Sequence, residues 1–408
     1  MTSRWIAVLA AVALCLTLCG CDVEILPPSD DWEPAVTQTT VATTTTTVAP
    51  DAEVPLTLLE NGYAYSLLSE EQQENYDAIV KELYDKRGMN TKADGERGLT
   101  VKLKNHVRSE EEIEELFYAV FDDHPEFFYL RSKYSWFKIG NRFTRLSFFY
   151  SWDAEERAVK ATELEAAVSS LVTQAQGLSD AEAEQLFHDT LIEKNEYNTA
   201  AASDSAAQSD AYYAASSPYA ALCTGDAICG GYSRAFHLLL SRVGIPNTAL
   251  INDDHAWSMV WLDGEAYHVD VTWDDPVGVE NGERHSYFNI TDDEARATRD
   301  IPQQVRELPA ATATTYNYHT MNGLVFGDVY DDGIAECILT QIENGAEQVI
   351  LKFDPEEYED AVNRFFEDQT FFDIVYELDD DTLRDRWYAQ MTYQGEERIG
   401  DIIIFPSE

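Results

Sequence analysis

The most regular pattern of apolar positions along the chain lies between residues 222 and 276. From Cys229 onward, large apolar side chains recur about every 3.6 residues, at Tyr232, Phe236, Leu239, Leu240 and Val243. Gly244 and Pro246 follow, so the pattern predicts an amphipathic helix that begins at Cys229 and ends before Gly244. Two alternating stretches come next, 255–262 and 267–273, and the turn dipeptide Asp263-Gly264 between them predicts a β-hairpin.

The predicted hairpin places His255 and Asp270 on one face of its sheet. With a two-residue turn at Asp263-Gly264, Asp270 lies opposite Trp257, and Trp257 shares a face with His255 because the two are two residues apart. His255 and Asp270 are then diagonal neighbours whose backbones lie roughly 7–8 Å apart. An imidazole and a carboxylate can meet across that distance.

The residue types at these positions suit nucleophilic catalysis. A free thiol has a pKa of about 8.5, and the partial positive charge at a helix N-terminus favours its anion, so Cys229 is placed to react as a thiolate. His255 is a candidate base and Asp270 a candidate orienting acid. Gly230 and Gly231 leave the approach to the sulfur open, and we expect backbone N–H groups there to hold an oxyanion.

The same stretch resembles the core of the transglutaminase-like superfamily of papain-like thiol enzymes. The resemblance covers roughly residues 180–300 and is carried by Cys-Gly-Gly-Tyr at 229–232, Ala235-Phe236, Gly244-Ile245, His255-Ala256-Trp257 and Tyr-His-Val-Asp-Val-Thr-Trp-Asp-Asp-Pro at 267–276. It implies an α+β fold with a helix-borne Cys and a β-sheet that carries His and Asp.

By position, the resemblance implies Cys229 as nucleophile, His255 as base and Asp270 as orienting acid, without a metal or other cofactor. It implies action on peptide or protein amide bonds through an acyl-enzyme. Transfer to water gives a protease or amidase, transfer to an amine gives a transglutaminase, and the triad does not choose between them. A second hypothesis is a catalytically silent surface module that binds peptide or cell-wall polymer.

Other histidines and cysteines offer competing interpretations. His268 is a rival base two residues before Asp270, while His188 and His237 are expected to be structural. A zinc site built from Cys223, Cys229 and a histidine is not expected, because these two cysteines are not the close pair that such sites use. Cys223 and Cys337 either form a disulfide or remain separate thiols.

The N-terminus has the form of a targeting segment. Arg4 precedes an apolar run from Trp5 to Leu18, and the following Leu18-Cys19-Gly20-Cys21 resembles the bacterial lipobox. We therefore expect residues 1–21 to be a lipoprotein signal peptide and Cys21 to be the lipid attachment site, with an ordinary cleaved signal peptide as the alternative. The protein would then be anchored by lipid to the cell membrane and face the outside.

The rest of the chain divides by composition into a linker and three folded units. Residues 22–55 are rich in Thr and Pro and read as a disordered linker, 56–175 as an N-terminal α/β domain, 176–305 as the catalytic domain and 306–408 as a C-terminal α+β domain. In the last unit we expect strands at 323–330, 335–342, 347–353, 371–378, 386–393 and 401–406, with a helix from about Pro355. A long loop at about 195–222 supplies Tyr212, Tyr213 and Tyr219 as possible cleft residues.

Charge limits the partners that the chain can bind. A formal net charge of −47 excludes nucleic acid and a direct hold on anionic lipid. The expected partner is a peptide or protein substrate, with cell-wall peptide included, and the expected state is a monomer attached to the membrane only through its lipid.

Overall fold

A computed structural model gives the architecture of the folded part of the chain. It describes residues 52–205, 208–252, 254–277, 285–301, 308–346 and 349–353, together with 360, 363–368, 370–376, 387–394 and 399–406. The expected signal peptide, the Cys21 lipid site and most of the linker lie outside the described residues. Within the described residues, no helix is long and apolar enough to cross a membrane.

The N-terminal unit is an antiparallel sheet packed against helices. Its strands stand in the order β1-β2-β4-β3. The elements are α1 (Tyr63–Leu67), α2 (Glu70–Asp85), β1 (Lys92–Ala93), β2 (Glu96–Val107), α3 (Glu110–Asp123), β3 (Leu130–Ile139), β4 (Arg142–Tyr150) and α4 (Ala154–Gln174). A capping box at Ser69 and Gln72 opens α2, and the Ser109 side chain accepts from the Glu112 amide at the start of α3.

The segment expected to be a long loop is largely helical. After α5 (Asp180–Lys194), which opens on a capping box at Ser179 and Glu182, come α6 (Thr199–Ser203), α7 (Asp210–Ala215) and a π-helix (Ala220–Thr224). Its many Ala residues favour helix, and the Ser209 side chain caps α7 by accepting from the Tyr212 amide.

The helix and hairpin of residues 229–269 follow the hydrophobic pattern. The helix α8 spans Cys229–Val243 and ends at Gly244, whose φ of 86° is the left-handed conformation that favours glycine. Strands β5 (Asn247–Ile251), β6 (Ala256–Leu262) and β7 (Glu265–Val269) form one antiparallel sheet, of which β5 was not predicted.

The register of the hairpin confirms the prediction, although β7 is shorter than expected. Leu262 pairs with Glu265 and Ser258 pairs with Val269, and both Asp263 and Gly264 have positive φ, as a two-residue hairpin turn requires. The expected strand 267–273 was wrong at its C-terminal end, because the chain turns away from the sheet at Asp270. The Asp270 amide instead donates to the Tyr287 carbonyl.

Among its described residues, the C-terminal unit has helix at two of the positions where strands were expected. After α9 (Asp292–Arg296), which precedes this unit, its elements are α10 (Tyr318–Met321), β8 (Val325–Phe326), α11 (Gly333–Glu343), β9 (Lys352–Phe353), a π-helix (Asn363–Glu367), α12 (Thr370–Val375), β10 (Trp387–Gln394) and β11 (Ile399–Pro406). The strand expected at 335–342 is helix α11, because Ile334, Ile338 and Ile342 recur every four residues and are buried together. The strand expected at 371–378 is replaced at its start by α12.

One hydrophobic core joins the N-terminal sheet to helix α8. It includes Phe128 after α3, Phe148 of β4, Phe187 of α5 and Phe236 of α8, and it extends to Phe288. The aromatic cluster at 127–129 is buried in this core. Helix α8 is therefore packed between the N-terminal unit and sheet β5-β6-β7.

Candidate active site

Two contacts fix the direction of helix α8 along strand β6. Ser233 Oγ donates to the Trp257 carbonyl at 2.9 Å, and further along β6 the Trp261 amide donates at 2.9 Å to the carbonyl of Pro246, in the short segment that follows the end of α8. The two elements therefore run in the same direction. Going back one helical turn from Ser233 covers about 6 Å, and going back two strand residues from Trp257 covers about 7 Å, so Cys229 and His255 come to the same end of the sheet.

His255 is held at the start of β6 by a tight turn. The Asn252 side chain accepts from the His255 amide at 2.9 Å, and the Asn252 amide donates to the His255 carbonyl at 3.0 Å. The imidazole is nearly parallel to the Trp257 ring and lies against Trp273. Its Nε2 atom is 2.7 Å from Asp270 Oδ2, which leaves Nδ1 as the ring nitrogen available to a thiol or a substrate.

Asp270 is a fully buried carboxylate with both oxygens engaged. Oδ1 accepts from the amides of Thr272 and Trp273, each at 3.1 Å. Oδ2 faces His255 and also accepts from the guanidinium of Arg299. The turn after β7 thus fixes the carboxylate through backbone donors, and its remaining oxygen lies between an imidazole and a cation.

Arg299 belongs to this site, and sequence reasoning missed it. Its guanidinium lies 3.9 Å from the centre of the Trp273 ring and 4.9 Å from that of Tyr287, so it is stacked between aromatic faces. Burial lowers the pKa of Arg299 to about 9. The sequence around it, Ala-Thr-Arg-Asp, is an ordinary polar stretch without an apolar pattern that would have pointed inward.

Of the two glycines after Cys229, Gly231 has a different role from the one expected. The Gly231 amide donates to the Ile228 carbonyl at 2.7 Å, so it is not available to an oxyanion. A Cβ at Gly231 would lie 2.4 Å from the Ala215 carbonyl oxygen, so this glycine permits close packing of α7. Cys229 and Gly230 are the first two residues of α8, and their amides have no acceptor within the helix.

His268, the rival base, is occupied elsewhere. Its Nδ1 accepts from the Trp257 indole at 3.1 Å, and its Nε2 is 2.9 Å from Asp292. Burial lowers the pKa of His268, and accepting through Nδ1 fixes the neutral tautomer that donates from Nε2. Both nitrogens therefore serve the packing of Trp257 and α9.

Of the three tyrosines proposed for the cleft, Tyr212 has a pKa that is influenced by Cys229. Its pKa is raised by burial and then by the charge of Cys229, which places the phenol and the sulfur within electrostatic reach. Tyr213 packs under Arg131, with their centres 4.9 Å apart. Tyr219 is buried against Phe128 and donates to Glu163, so it serves the core.

The three described cysteines are all free thiols, so Cys223 and Cys337 do not pair. Burial, with the charge of Glu163, raises the pKa of Cys223 to about 11. Burial also raises the pKa of Cys337. These two thiols are therefore protonated across the physiological range.

Comparison with known proteins adds little to this geometry. No protein-family model matches the chain, and no curated protein matches it. A solved structure titled "Crystal structure of a TGase" aligns with a TM-score of 0.26 and 15% sequence identity. The alignment covers 46% of this chain and 53% of that one, so the chain spans about half the length of that protein. The case for a function therefore rests on the residues of this chain.

Proposed function

We propose that the protein is a thiol acyl-transfer enzyme of the transglutaminase-like superfamily that acts on peptide or protein amide bonds. The observation that carries the proposal is the 2.7 Å hydrogen bond between His255 Nε2 and Asp270 Oδ2, at the end of the sheet where α8 begins with Cys229. The thiol-bearing helix terminus and the oriented imidazole are the two parts that such chemistry needs.

In the proposed mechanism, His255 Nδ1 takes the proton of the Cys229 thiol, and Asp270 holds the imidazole through Nε2. The thiolate adds to the amide carbonyl carbon, and the amides of Cys229 and Gly230 are placed to donate to the resulting oxyanion. The tetrahedral species collapses to a thioester as the C–N bond breaks and His255 Nδ1 gives its proton to the leaving amine. Water or an amine, deprotonated by the same Nδ1, then displaces the thiol.

The proposed setting is the outer face of the cell membrane, with the lipid anchor at Cys21 and the linker to residue 55 holding the enzyme away from the bilayer. A net charge of −47 favours substrates with cationic groups over anionic polymers. The motifs at 229–232, 255–257 and 267–276 support the superfamily assignment, and the choice between water and an amine as acceptor is left to experiment.

The rate at which each cysteine is alkylated by iodoacetamide tests the proposal, read peptide by peptide from about pH 5 to about pH 9. Cys223 and Cys337 are internal controls, because their raised pKa values keep them slow until strongly alkaline pH. We expect Cys229 to react quickly at acidic pH and to lose at least about tenfold in rate in His255→Gln, since the imidazolium that stabilises the thiolate is gone.

Labelling of Cys229 that rises only near pH 8.5, alike in both proteins, would contradict the proposal and favour a silent binding module. If the thiol passes this test, a peptide library offered with and without a primary amine separates the two acceptors. New amide-linked products indicate transfer, and shortened or deamidated peptides indicate hydrolysis.

A further inference from the structure

A second cluster of reactive side chains lies on α5 and on the segment that returns to it after Asp270. His188 Nδ1 is 2.9 Å from Asp189 Oδ1, and His285 Nε2 is 2.8 Å from the same oxygen. The three atoms all lie within 4.8 Å of one another. Two imidazole nitrogens and a carboxylate oxygen thus converge on one point, and the proposed acyl-transfer chemistry uses none of them.

The second ring nitrogen of His188 faces a carboxylate, as the second nitrogen of a metal-bound histidine usually does. His188 Nε2 is 3.0 Å from Asp274 Oδ2, and both side chains are fully buried. Asp274 is itself fixed, because its Oδ1 accepts from the Tyr287 amide at 2.9 Å. A histidine that binds a metal through one nitrogen almost always donates the other N–H to a carboxylate or carbonyl, which orients the ring and makes the binding nitrogen more basic.

The third ligand is oriented by stacking, and the cluster is open on one side. The His285 ring lies 3.7 Å from the Tyr318 ring at an angle of 6°, which fixes the plane of the imidazole. The Asp189 side chain is 37% exposed, so water reaches the point where the ligands meet. Three protein ligands with an open fourth position match the coordination that Zn²⁺ adopts with water.

We propose that His188, Asp189 and His285 form a Zn²⁺ site, with Asp274 orienting His188. The nitrogen ligands select a first-row ion such as Zn²⁺ over Mg²⁺ or Ca²⁺. The ion joins α5 to His285 directly, and to Asp274 through the hydrogen bond from His188. The site stands independently of the proposed acyl transfer, and neither inference depends on the other.

Zinc titration of the purified, chelator-treated protein by calorimetry tests this site. Cys229 is first alkylated with iodoacetamide, so that a thiol does not bind the ion. We expect one Zn²⁺ per chain and no comparable heat from Mg²⁺. Asp189→Asn and His285→Gln keep the size of each side chain and should weaken binding at least about 100-fold, and Asp274→Asn about 10- to 100-fold.

His106→Ala is the matched control, because His106 is an exposed histidine of β2 and its loss should leave the affinity unchanged. Circular dichroism of each variant checks that the fold persists. Co²⁺ in place of Zn²⁺ gives visible absorption bands as a second readout of the nitrogen ligands. If the alkylated wild type binds no Zn²⁺, or if Asp189→Asn and His285→Gln bind it as the wild type does, the cluster is a metal-free hydrogen-bond network and the proposal is overturned.

Discussion

The Arg299 guanidinium donates to Asp270 Oδ2, the same oxygen that faces His255 Nε2. A buried carboxylate next to a single imidazole would have its charge balanced only when that imidazole is protonated. Arg299 gives the Asp270 carboxylate a cationic partner in addition to the imidazole. The arginine therefore acts on the proposed reaction through Asp270, as a positioning residue.

Removal of either partner of this ion pair should be costly. Arg299→Met leaves the buried Asp270 without its cation, and Asp270→Asn leaves the buried guanidinium without its anion, so each should lose about 3–5 kcal/mol of unfolding free energy. The double variant should lose clearly less than the sum, by at least about 1 kcal/mol. Urea denaturation of the four proteins measures this coupling.

The exposed Arg296 of α9 provides the control for this cycle, because its bonds to Asp292 and Asp293 lie at the surface. Arg296→Met should change stability by no more than about 0.5 kcal/mol. Additive losses for Arg299 and Asp270 would contradict the ion-pair assignment. Asp270→Ala is a poorer probe, since it also removes the acceptor of the Thr272 and Trp273 amides.

The two glycines after the thiol should respond in opposite ways to alanine. Gly231→Ala forces a Cβ to 2.4 Å from the Ala215 carbonyl oxygen and 2.9 Å from Ala227 Cβ. The variant should therefore lose about 1–3 kcal/mol of unfolding free energy. Gly230→Ala meets nothing closer than 3.4 Å and should be neutral or gain up to about 1 kcal/mol from helix propensity. Thermal denaturation of both variants measures these changes in stability. Equal losses of stability would mean that the close contact with α7 does not depend on Gly231.

Substitution of His268 should mainly affect stability, whereas substitution of His255 should mainly affect the alkylation of Cys229. His268→Gln removes the acceptor of the Trp257 indole, so it should lower the melting temperature while Cys229 keeps its rapid alkylation at acidic pH. His255→Gln should abolish that alkylation with a smaller loss of stability. The reverse pattern would make His268 the base.

Acid should also destabilise the protein through His268. Because burial lowers the pKa of His268 in the folded state, the unfolded chain binds the extra proton first, at an imidazole pKa of about 6.5. Unfolding free energy therefore falls as the pH drops below about 6.5. The fall should be shallower in His268→Gln, as denaturation at a series of pH values would measure.

Glu184 should make the unfolding free energy fall as the pH rises toward 8. Burial raises the pKa of Glu184 to about 8, against the opposing hydrogen bond from Asn289 Nδ2 at 2.8 Å. Between the unfolded carboxyl pKa of about 4.3 and pH 8, the folded state holds a proton that the unfolded state has lost, so stability falls with rising pH by up to about 1.4 kcal/mol per unit.

Glu184→Gln keeps an oxygen for Asn289 and cannot ionise, so its unfolding free energy should decline less between about pH 5 and about pH 8. Glu193→Gln, an exposed substitution on the same helix, should keep the wild-type slope. Equal slopes in all three proteins would mean that Glu184 is ionised in the folded state.

The parts that the sequence predicted are those with a local signal. Helix α8 and the β6–β7 hairpin follow from apolar spacing, the glycine after Val243 and the Asp263-Gly264 turn, all of which act within a few residues. The meeting of His255 and Asp270 follows from that register. The expected oxyanion role of Gly231 was wrong because its amide donates to the Ile228 carbonyl, and its close packing against Ala215, which is distant in sequence, has no motif that would announce it.

The hydrophobic pattern of the sequence does not predict contacts between segments that are distant along the chain. Arg299 reaches Asp270 across 29 residues of chain, and the polar sequence around it resembles any exposed turn. A short apolar run in the C-terminal unit alternates in a way that also suits a strand. It forms a helix instead, because the helix buries Ile334, Ile338 and Ile342 on one face.

Helix α7 gives the region beside the thiol its shape before any substrate arrives. The Ala215 carbonyl accepts from the Ile228 amide at 3.1 Å, and Asp210 at the other end of α7 pairs with Arg131 of β3. The conformational entropy of this segment is therefore lost when the protein folds, not when a substrate binds. The approach to Cys229 is thus preorganised. A ligand that binds there does not lose affinity through the ordering of α7.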